Sequence, residues 1–268
     1  MKGRVLIVAG SDSGGGAGIQ ADVKTVTALG GYCGTAITVL TAQDTKSVAM
    51  IEPVSIDMVA QQMHMMLDDI GVDCIKMGML YSHDIIEAVT DVINAKARGI
   101  PLVVDPVLVA KSGDRLLEAD ALQALTSRLI QHASIITPNI PEAEVLSGIA
   151  VKTSEDMVRA ARIIHDQGVP AVLLKGGHMT GDLLTDLLQT EDGTELFEAE
   201  RIHSSHTHGT GCALASGIAT GIAQGMELRD AIKRAREFVR QAIVSAPGFG
   251  SGHGPLDHTV TVRALEGF

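Results

Sequence analysis

The sequence contains 268 residues with a formal net charge of −11, and 46% of the residues are hydrophobic. This length accommodates one large α/β domain or two small ones. Aromatic residues make up only 2%, so the predicted core is aliphatic and rich in methionine, and a surface that stacks nucleic-acid bases is disfavoured. The acidic balance argues against broad attraction to nucleic acid or to an anionic membrane.

The start of the chain and its cysteine content favour a cytoplasmic protein. The apolar stretch before Gly10 is too short for the hydrophobic region of a signal peptide, and no later run is long enough to span a membrane. The three cysteines are an odd number without metal-site spacing. We therefore expect a reducing compartment and no disulfide framework.

Short β-branched runs alternate with longer amphipathic segments along the whole chain. The pattern predicts buried strands at 4–9, 35–40, 74–77, 102–104, 134–137 and 171–174. Helices are predicted at 18–29, 56–70, 84–97, 118–131, 154–167, 211–224 and 229–245. An antiparallel strand pair is predicted at 183–189 and 195–200, with Asp192-Gly193 as its turn.

This uninterrupted alternation predicts a mainly parallel sheet with helices on both faces. The chain contains no linker, repeat or low-complexity tract, so we expect a single domain over 1–268. Sheets of this kind bind ligands at the carboxyl ends of their strands. Glycine-rich or polar sequence follows several predicted strands, and those positions are the candidate functional site.

The glycine-rich stretch 10–18 lies between the first predicted strand and the first helix. Such a turn lets the backbone approach a ligand closely and presents the N–H groups of a helix N-terminus to it. The glycine spacing is not that of a dinucleotide-binding motif, and the chain lacks the Gly-Lys-Ser/Thr sequence of a P-loop. The alternative interpretation is a tight turn without a ligand.

A second glycine-containing loop, 206–211, opens a predicted helix with Cys212 in its first turn. Gly209 and Gly211 flank Thr210, and their backbone N–H groups are predicted to line an anion pocket at the positive end of the helix. The helix field would lower the pKa of the Cys212 thiol, which could then accept the proton of a substrate hydroxyl. The alternative is that Cys212 is a packed apolar residue.

Polar residues also follow three further predicted strands. Asn139 and Glu142 follow one strand, Asp105 another and Lys175 a third. Carboxylates at such positions suit Mg²⁺, which needs only one or two of them beside phosphate oxygens, and a lysine can pair with a transferring phosphate. Glu142 could instead complement the start of a helix, and Asp105 could be a turn aspartate. Together these features favour phosphoryl transfer by positioning and charge neutralisation.

Three histidines in one polar loop raise the alternative of a zinc site. They lack a matching set of cysteines or carboxylates at metal-site spacing, so we do not expect zinc there. The residues are His203, His206 and His208.

Seven motifs, in order along nearly the whole chain, carry a resemblance to a known family. They are Gly-Ser-Asp-Ser-Gly-Gly-Gly-Ala-Gly-Ile-Gln-Ala-Asp (10–22), Lys-Met-Gly-Met-Leu (76–80), Asp-Pro-Val (105–107), Ala-Lys-Ser-Gly (110–113), Thr-Pro-Asn-Ile-Pro-Glu (137–142), Lys-Gly-Gly-His (175–178) and Thr-His-Gly-Thr-Gly-Cys (207–212). In this combination they resemble the hydroxymethylpyrimidine/phosphomethylpyrimidine kinases, a branch of the ribokinase-like superfamily. The resemblance implies a three-layer α/β sandwich with a small flap at about 31–54.

The resemblance also implies an activity, namely two successive ATP- and Mg²⁺-dependent phosphorylations of 4-amino-5-hydroxymethyl-2-methylpyrimidine in thiamin biosynthesis. It implies a catalytic base, Cys212, within the loop that contains Gly209, Thr210 and Gly211. The implied ring pocket consists of Gly10, Ala17, Gln43, Met79 and Val107, with the Gln43 amide at the aminopyrimidine edge.

At the nucleotide end, the resemblance implies a metal region at Asp105 and Glu142. It places Asn139 and Lys175, together with Gly209 and Gly211, near the ATP phosphates. By analogy we also expect a homodimer with a small-molecule substrate, and neither a nucleic-acid nor a membrane partner.

Two competing hypotheses remain at this point. The first is a pyridoxal or pyridoxine kinase, since a related branch uses the same scaffold on another hydroxymethyl heteroaromatic compound. The second is a non-catalytic protein that binds a thiamin precursor or a nucleotide. The joint presence of Asp105, Glu142, Lys175 and Cys212 argues against the second, because a binding protein needs no base.

Overall fold

The computed structural model describes residues 2–108, 121–179 and 181–262. Its strands form one nine-stranded sheet in the order β3-β2-β1-β4-β5-β6-β7-β8-β9. The bounds are β1 (Arg4–Asp12), β2 (Tyr32–Gln43), β3 (Val48–Pro53), β4 (Cys74–Met77), β5 (Leu102–Val104), β6 (Ile135–Ile136), β7 (Val172–Leu174), β8 (Leu183–Thr190) and β9 (Gly193–Glu200).

The pairing is parallel from β2 through β1, β4, β5 and β6 to β7, and antiparallel where β3, β8 and β9 join the two edges. The helices are α1 (Gly18–Ala28), α2 (Ile56–Met65), α3 (His83–Lys96), α4 (Ala121–Ala124), α5 (Ile140–Ser147), α6 (Ser154–Asp166), α7 (Thr210–Ala223) and α8 (Leu228–Val244). A π-helical turn extends α2 through Ile70, and another extends α4 to Leu129.

Successive side chains of β1 point alternately into two aliphatic core layers, one on each face of the sheet. Leu6 and Val8 pack with α2, α3, α5 and α6, whereas Val5 and Ile7 pack with α1, α7 and α8. All four side chains are fully buried. Because successive residues of a strand point to opposite faces, one apolar strand serves both layers. The predicted three-layer sandwich with a mainly parallel sheet is confirmed.

The structure differs from the sequence-based boundaries at a few places. β1 continues through Ser11 and Asp12, where a loop was predicted to begin at Gly10. The hairpin β8–β9 turns on Glu191 and Asp192 rather than on Asp192-Gly193, because Gly193 already pairs with Thr190. The prediction missed β3, whose exposure shows no strict alternation, and α5.

Two sequence predictions fall partly or wholly outside the described residues. They are the start of the helix predicted at 118–131 and the motif 110–113. The segment predicted as a flap contains β2 and β3, an antiparallel ribbon at the edge of the sheet, and Gln43 ends β2. Among the described residues, no helix is long and apolar enough to cross a membrane.

A buried ion pair joins three elements beneath the carboxyl edge of the sheet. Lys76 on β4 is fully buried, and its Nζ donates to both carboxylate oxygens of Asp22 on α1 at 2.9 Å. The hydroxyl of Ser216 on α7 donates to the same carboxylate at 2.6 Å. Desolvation lowers the pKa of Lys76, but the neighbouring acidic groups, with Asp22 the strongest of them, together outweigh it and hold that pKa above its usual value. Lys76 therefore stays charged and ties α1 to β4.

Replacing one partner of this pair should destabilise the fold strongly. Lys76→Met leaves the Asp22 carboxylate buried without its counter-ion, and we expect a loss of about 3–5 kcal/mol in the free energy of unfolding. The double variant Lys76→Met/Asp22→Asn should lose much less than the sum of its two single variants. Urea unfolding measures all of them.

The matched control is Lys96→Met, which removes the ion pair with Asp68 on the surface. That pair is solvent-exposed, so its loss should change stability little. Equal losses for Lys76→Met and Lys96→Met, or additive effects in the double variant, would contradict the role given to the buried pair.

Candidate active site

A large cavity, of about 620 Å³, lies at the carboxyl ends of the parallel strands. Its wall contains the loops after β1, β4, β5, β6 and β7, the end of β2 and the first turn of α7. All of the predicted catalytic, substrate-binding, nucleotide-binding and metal-binding residues line it: Gly10, Ala17, Gln43, Met79, Val107, Asp105, Asn139, Glu142, Lys175, Gly209, Thr210, Gly211 and Cys212. Their individual roles remain predictions.

The N-terminus of α7 presents unpaired backbone donors to this cavity. Gly209 caps the helix in the left-handed region, at φ 82°, and no side chain provides the cap. Within residues 2–108, 121–179 and 181–262, the N–H groups of Gly211 and Cys212 have no hydrogen-bond acceptor. The first N–H groups of a helix lack intrahelical partners, and together with the helix dipole they favour an anion.

Gly209 is also required by packing. A Cβ at this position would run into the carbonyl oxygen of Gly16 in the β1–α1 loop. The two glycine-containing loops therefore touch through their backbones, which fixes the start of α7 against the end of β1. A left-handed φ and this close approach together exclude other residue types.

The structure contradicts the predicted direction of the Cys212 pKa. Burial raises the pKa of this thiol to about 12, and the carboxylates of Asp22 and Asp105 act in the same direction against the ammonium of Lys76. Desolvation thus outweighs the helix field on which the prediction relied. Cys212 is a neutral thiol in the free protein, although it remains partly accessible from the cavity.

Lys175 and Asp105 form an ion pair that faces the first turn of α7. Lys175 Nζ donates to Asp105 Oδ1 at 3.0 Å, and the hydroxyl of Thr137 lies 3.3 Å from the same oxygen. A Cβ built on Gly211 would lie 3.2 Å from Lys175 Nζ and 3.5 Å from Asp105 Oδ2. The absence of a side chain at Gly211 thus leaves the ammonium and the helix N-terminus close together, where a phosphate group can contact both.

Asn139 and Glu142 form a reciprocal capping box at the start of α5. The Glu142 N–H donates to Asn139 Oδ1 at 2.9 Å, and the Asn139 N–H donates to Glu142 Oε2 at 2.8 Å. Glu142 therefore does cap the start of a helix, as the alternative interpretation proposed. Glu142 is nevertheless part of the cavity wall.

Burial raises the pKa of Glu142 to about 7. The nearby carboxylate of Asp105 adds to this effect, whereas the ammonium of Lys175 opposes it. Two carboxylates near one ammonium make this corner of the cavity favourable for a further cation. Hard oxygen donors of this kind fit Mg²⁺.

In the part of the chain that the structure describes, no cluster of three or more histidine, cysteine, aspartate or glutamate residues could hold a metal ion. A Mg²⁺ ion at Asp105 and Glu142 would take one or two carboxylates from the protein and complete its coordination with water and phosphate oxygens.

The loop after β1 binds several of its N–H groups to its own aspartate. The carboxylate of Asp12 accepts hydrogen bonds from the N–H groups of Gly14, Gly16 and Ala17 at 2.8–3.1 Å. The Gly15 N–H donates to the Asp12 carbonyl. These N–H groups are therefore bound within the loop itself and are not free to bind a ligand.

Sequence reasoning missed Asp12 and its partner. His208 Nε2 lies 2.9 Å from Asp12 Oδ2, and both side chains are largely buried. An aspartate two residues before a glycine is typical of a turn that bonds its own backbone, and this could have indicated the role of Asp12. Nothing in the sequence indicates a partner that lies 196 residues further along.

An apolar slot lies next to this pair, with one amide at its edge. Val39 and Met79 are buried together, and Tyr81 and Val107 pack against them. A Cβ at Gly10 would meet Val39 at 2.8 Å, so the backbone there forms part of the slot. Met79 and Val107, two of the predicted ring-pocket residues, thus present apolar side chains to the cavity.

The far end of the cavity, beyond Lys175, was not predicted at all. Ile202, Leu184, Val239 and Ile243 line it together with Arg236. The Arg236 guanidinium is fixed by Asp186 at 2.8 Å and lies 5.5 Å from the centre of the Phe197 ring. Its residues come from β8, α8 and the segment after β9, and no motif connects them in the sequence.

Comparison with known proteins identifies the family of this site. The family model described as phosphomethylpyrimidine kinase matches residues 12–257. The chain belongs to the phosphomethylpyrimidine kinase family. The hydroxymethylpyrimidine/phosphomethylpyrimidine kinase of Rhizobium meliloti is 43% identical over 256 residues, which covers 94% of this chain and 96% of that protein.

A thiamine biosynthesis bifunctional protein of Geobacter sulfurreducens is 48% identical over 265 residues. That match covers 99% of this chain, but the chain spans only 54% of the bifunctional protein. Among solved structures, an ADP complex of Bacillus subtilis pyridoxal kinase has a TM-score of 0.90 and 37% identity, with coverage of 97% of this chain and 98% of that chain. These likenesses confirm the predicted ribokinase-like fold. They also confirm the family that the sequence motifs indicated.

Proposed function

We propose that this chain transfers the terminal phosphate of ATP to the hydroxymethyl group of 4-amino-5-hydroxymethyl-2-methylpyrimidine, and then phosphorylates the resulting monophosphate, in thiamin biosynthesis. The observation that carries this proposal is one cavity with two different ends. An apolar slot bordered by the Gln43 amide lies on one side of the α7 N-terminus. Lys175, Asp105 and the larger space beyond them lie on the other side.

The slot is suited to the acceptor. A pyrimidine ring packs between Met79 and Val107, with its polar edge at Gln43 and its hydroxymethyl group directed towards α7. The longer space lined by Ile202 and Val239 is left for the nucleoside of ATP. The phosphates then pass over Lys175 and the N–H groups of Gly211 and Cys212.

The transfer relies mainly on positioning and charge neutralisation. In the loose transition state of phosphoryl transfer, charge accumulates on the phosphate oxygens, and donors aimed at them stabilise it. The α7 N–H groups and the Lys175 ammonium supply this stabilisation. The hydroxyl proton leaves late in such a transition state, and a thiol can receive it only after losing its own proton to water and becoming the thiolate.

Cys212 is the proposed acceptor of that proton. Its raised pKa makes the thiolate a strong base, while the nearby Lys76 ammonium favours the thiolate over the thiol. Asp105 and Glu142 are the residues that would hold Mg²⁺, which neutralises phosphate charge when it is bound. Asn139 lies next to them through its capping box with Glu142.

A pyridoxal kinase is the second candidate, because the Bacillus subtilis pyridoxal kinase has nearly the same fold. The curated relatives favour the pyrimidine, since those that match over most of their own length are named hydroxymethylpyrimidine/phosphomethylpyrimidine kinases. Both substrates carry a hydroxymethyl group on a flat heteroaromatic ring, so the reaction itself is the same.

The deciding experiment is coupled ADP release with ATP and Mg²⁺, with the hydroxymethylpyrimidine and pyridoxal offered separately. We expect a clear preference for the pyrimidine and a second turnover that gives the diphosphate. Preference for pyridoxal would replace the proposed substrate. Absence of turnover with both compounds would contradict a kinase and favour a binding protein.

The role of Cys212 is tested by Cys212→Ala. Loss of general-base assistance should lower kcat by about 10²- to 10⁴-fold, while pyrimidine binding persists. Cys33→Ala is the control, since Cys33 is a free cysteine on β2 that does not line the cavity. Near-normal kcat in Cys212→Ala would remove this residue from the mechanism.

We propose further that the chain forms a homodimer through the apolar face of β2, β3 and α2. Large hydrophobic side chains there are exposed to an unusual extent, up to 65% at Met50, 60% at Met65 and 54% at Met58. Patches of this kind mark interaction sites.

Light scattering should give twice the mass of one chain, and Met50→Glu/Met58→Glu should reduce it to that of one chain. A single-chain mass for the unaltered protein would contradict the proposal.

A further inference from the structure

Hydrogen-bond chemistry around Gln43 fixes which way its side-chain amide points. Two contacts border the amide: one of its terminal atoms lies 3.4 Å from His208 Nε2, and the other lies 3.2 Å from Thr41 Oγ1. The nitrogen and oxygen of an amide have nearly the same size, so the donors and acceptors around them must decide the orientation.

The proton on His208 Nε2 bonds to Asp12, so Nε2 has no lone pair that could accept an N–H of the Gln43 amide. The Asp12 carboxylate 2.9 Å away already accepts three backbone N–H groups, from Gly14, Gly16 and Ala17. Desolvation raises the pKa of Asp12, but the hydrogen bonds from His208 and the backbone outweigh it and hold the pKa below its usual value. Asp12 is therefore an ionised acceptor, and the proton between the two residues belongs to His208 Nε2.

Thr41 can act only as an acceptor towards Gln43. Its single hydroxyl proton is directed to the carbonyl of Ser11 at 3.0 Å, inside the buried contact between β1 and β2. Hence the amide oxygen of Gln43 faces His208, and the amide nitrogen donates to Thr41. The opposite orientation would place two donors together at His208 and would require two protons on the Thr41 hydroxyl.

We propose that His208 and Thr41 are specificity-determining residues that hold the Gln43 amide in this single orientation, and so select a 4-amino over a 4-oxo pyrimidine. Neither residue was assigned such a role by the motifs. The inference rests on the proposed function, because it takes the acceptor to be a pyrimidine with its hydroxymethyl group directed towards α7.

The selectivity follows from the fixed ring position. The ring cannot turn to offer another edge, because its hydroxymethyl group must point to α7. A 4-amino group then donates to the Gln43 oxygen, and ring N3 accepts from the remaining N–H of the amide. In a 4-oxo ring these roles are reversed, because O4 is an acceptor and N3–H is a donor. The O4 atom would then face the Gln43 oxygen, and N3–H would face the Gln43 N–H, so neither hydrogen bond could form. An unrestrained amide would simply rotate to suit it.

The test compares the aminopyrimidine with its 4-oxo analogue in unaltered protein, Thr41→Val, His208→Phe and the double variant. The readout is the amino-to-oxo ratio of kcat/KM, with the ratio of Kd values from calorimetry beside it. Each single variant should lower the ratio about three- to tenfold, in keeping with the loss of one hydrogen bond. The double variant should lower it further, mainly by improving use of the oxo compound.

Two controls separate selectivity from general damage. Thr41→Ser keeps the hydroxyl and should restore the ratio. Thr38→Val removes a buried hydroxyl from the same strand, one that donates to the carbonyl of Met79, and it should leave the ratio unchanged. An unchanged ratio in Thr41→Val and His208→Phe, or an equal fall in Thr38→Val, would overturn the proposal.

A second measurement does not depend on turnover. Long-range ¹H–¹⁵N correlation of the unaltered protein should show His208 protonated at Nε2, and an Nε2 without a proton would overturn the inference. The two proposals also fail differently. If neither pyrimidine is phosphorylated, the proposed function fails, whereas the Kd ratios and the ring tautomer still decide whether the Gln43 amide is fixed.

Discussion

The buried contact of Lys76 with Asp22 is the interaction on which the site depends. It links β4 to α1, and the Ser216 hydroxyl brings α7 to the same carboxylate. These three elements begin or end at the cavity, so the ion pair sets the distance between its walls. A charged pair without water is costly to separate, which makes this junction rigid. The same ammonium lies close enough to Cys212 to influence its pKa.

The two glycine-containing loops have different roles at this rigid junction. The loop after β1 directs its N–H groups to Asp12, and it serves as a wall against which α7 is placed. The first turn of α7 leaves the N–H groups of Gly211 and Cys212 without an acceptor among the described residues. The two loops have similar compositions, and they differ in that the first contains a carboxylate that binds its backbone N–H groups.

The sequence predicted the fold well because the core strands are continuous apolar runs. β4 and β5 have the predicted limits, and the helices from α1 to α3 differ by a few residues at most. Elements held by tertiary contacts were less predictable. β3 has little buried surface, and the hairpin turn moved by one residue because Gly193 pairs within the ladder.

Site prediction succeeded for residues that follow strands and failed for contacts across the chain. The predicted positions all line one cavity, because parallel strands bring their carboxyl ends to one edge. The direction of the Cys212 pKa was wrong, since burial cannot be judged from a position in the first turn of a helix. The Asp12–His208 contact and the far end of the cavity join distant segments, which no local pattern connects.

The most direct test of the account is a crystal structure with a non-hydrolysable ATP analogue and the hydroxymethylpyrimidine. The account predicts the terminal phosphate at the α7 N–H groups and Lys175, with the hydroxymethyl oxygen next to Cys212. It also predicts the ring amine at the Gln43 oxygen, on the side of His208. A phosphate bound by the loop after β1, or a hydroxymethyl group directed away from α7, would contradict it.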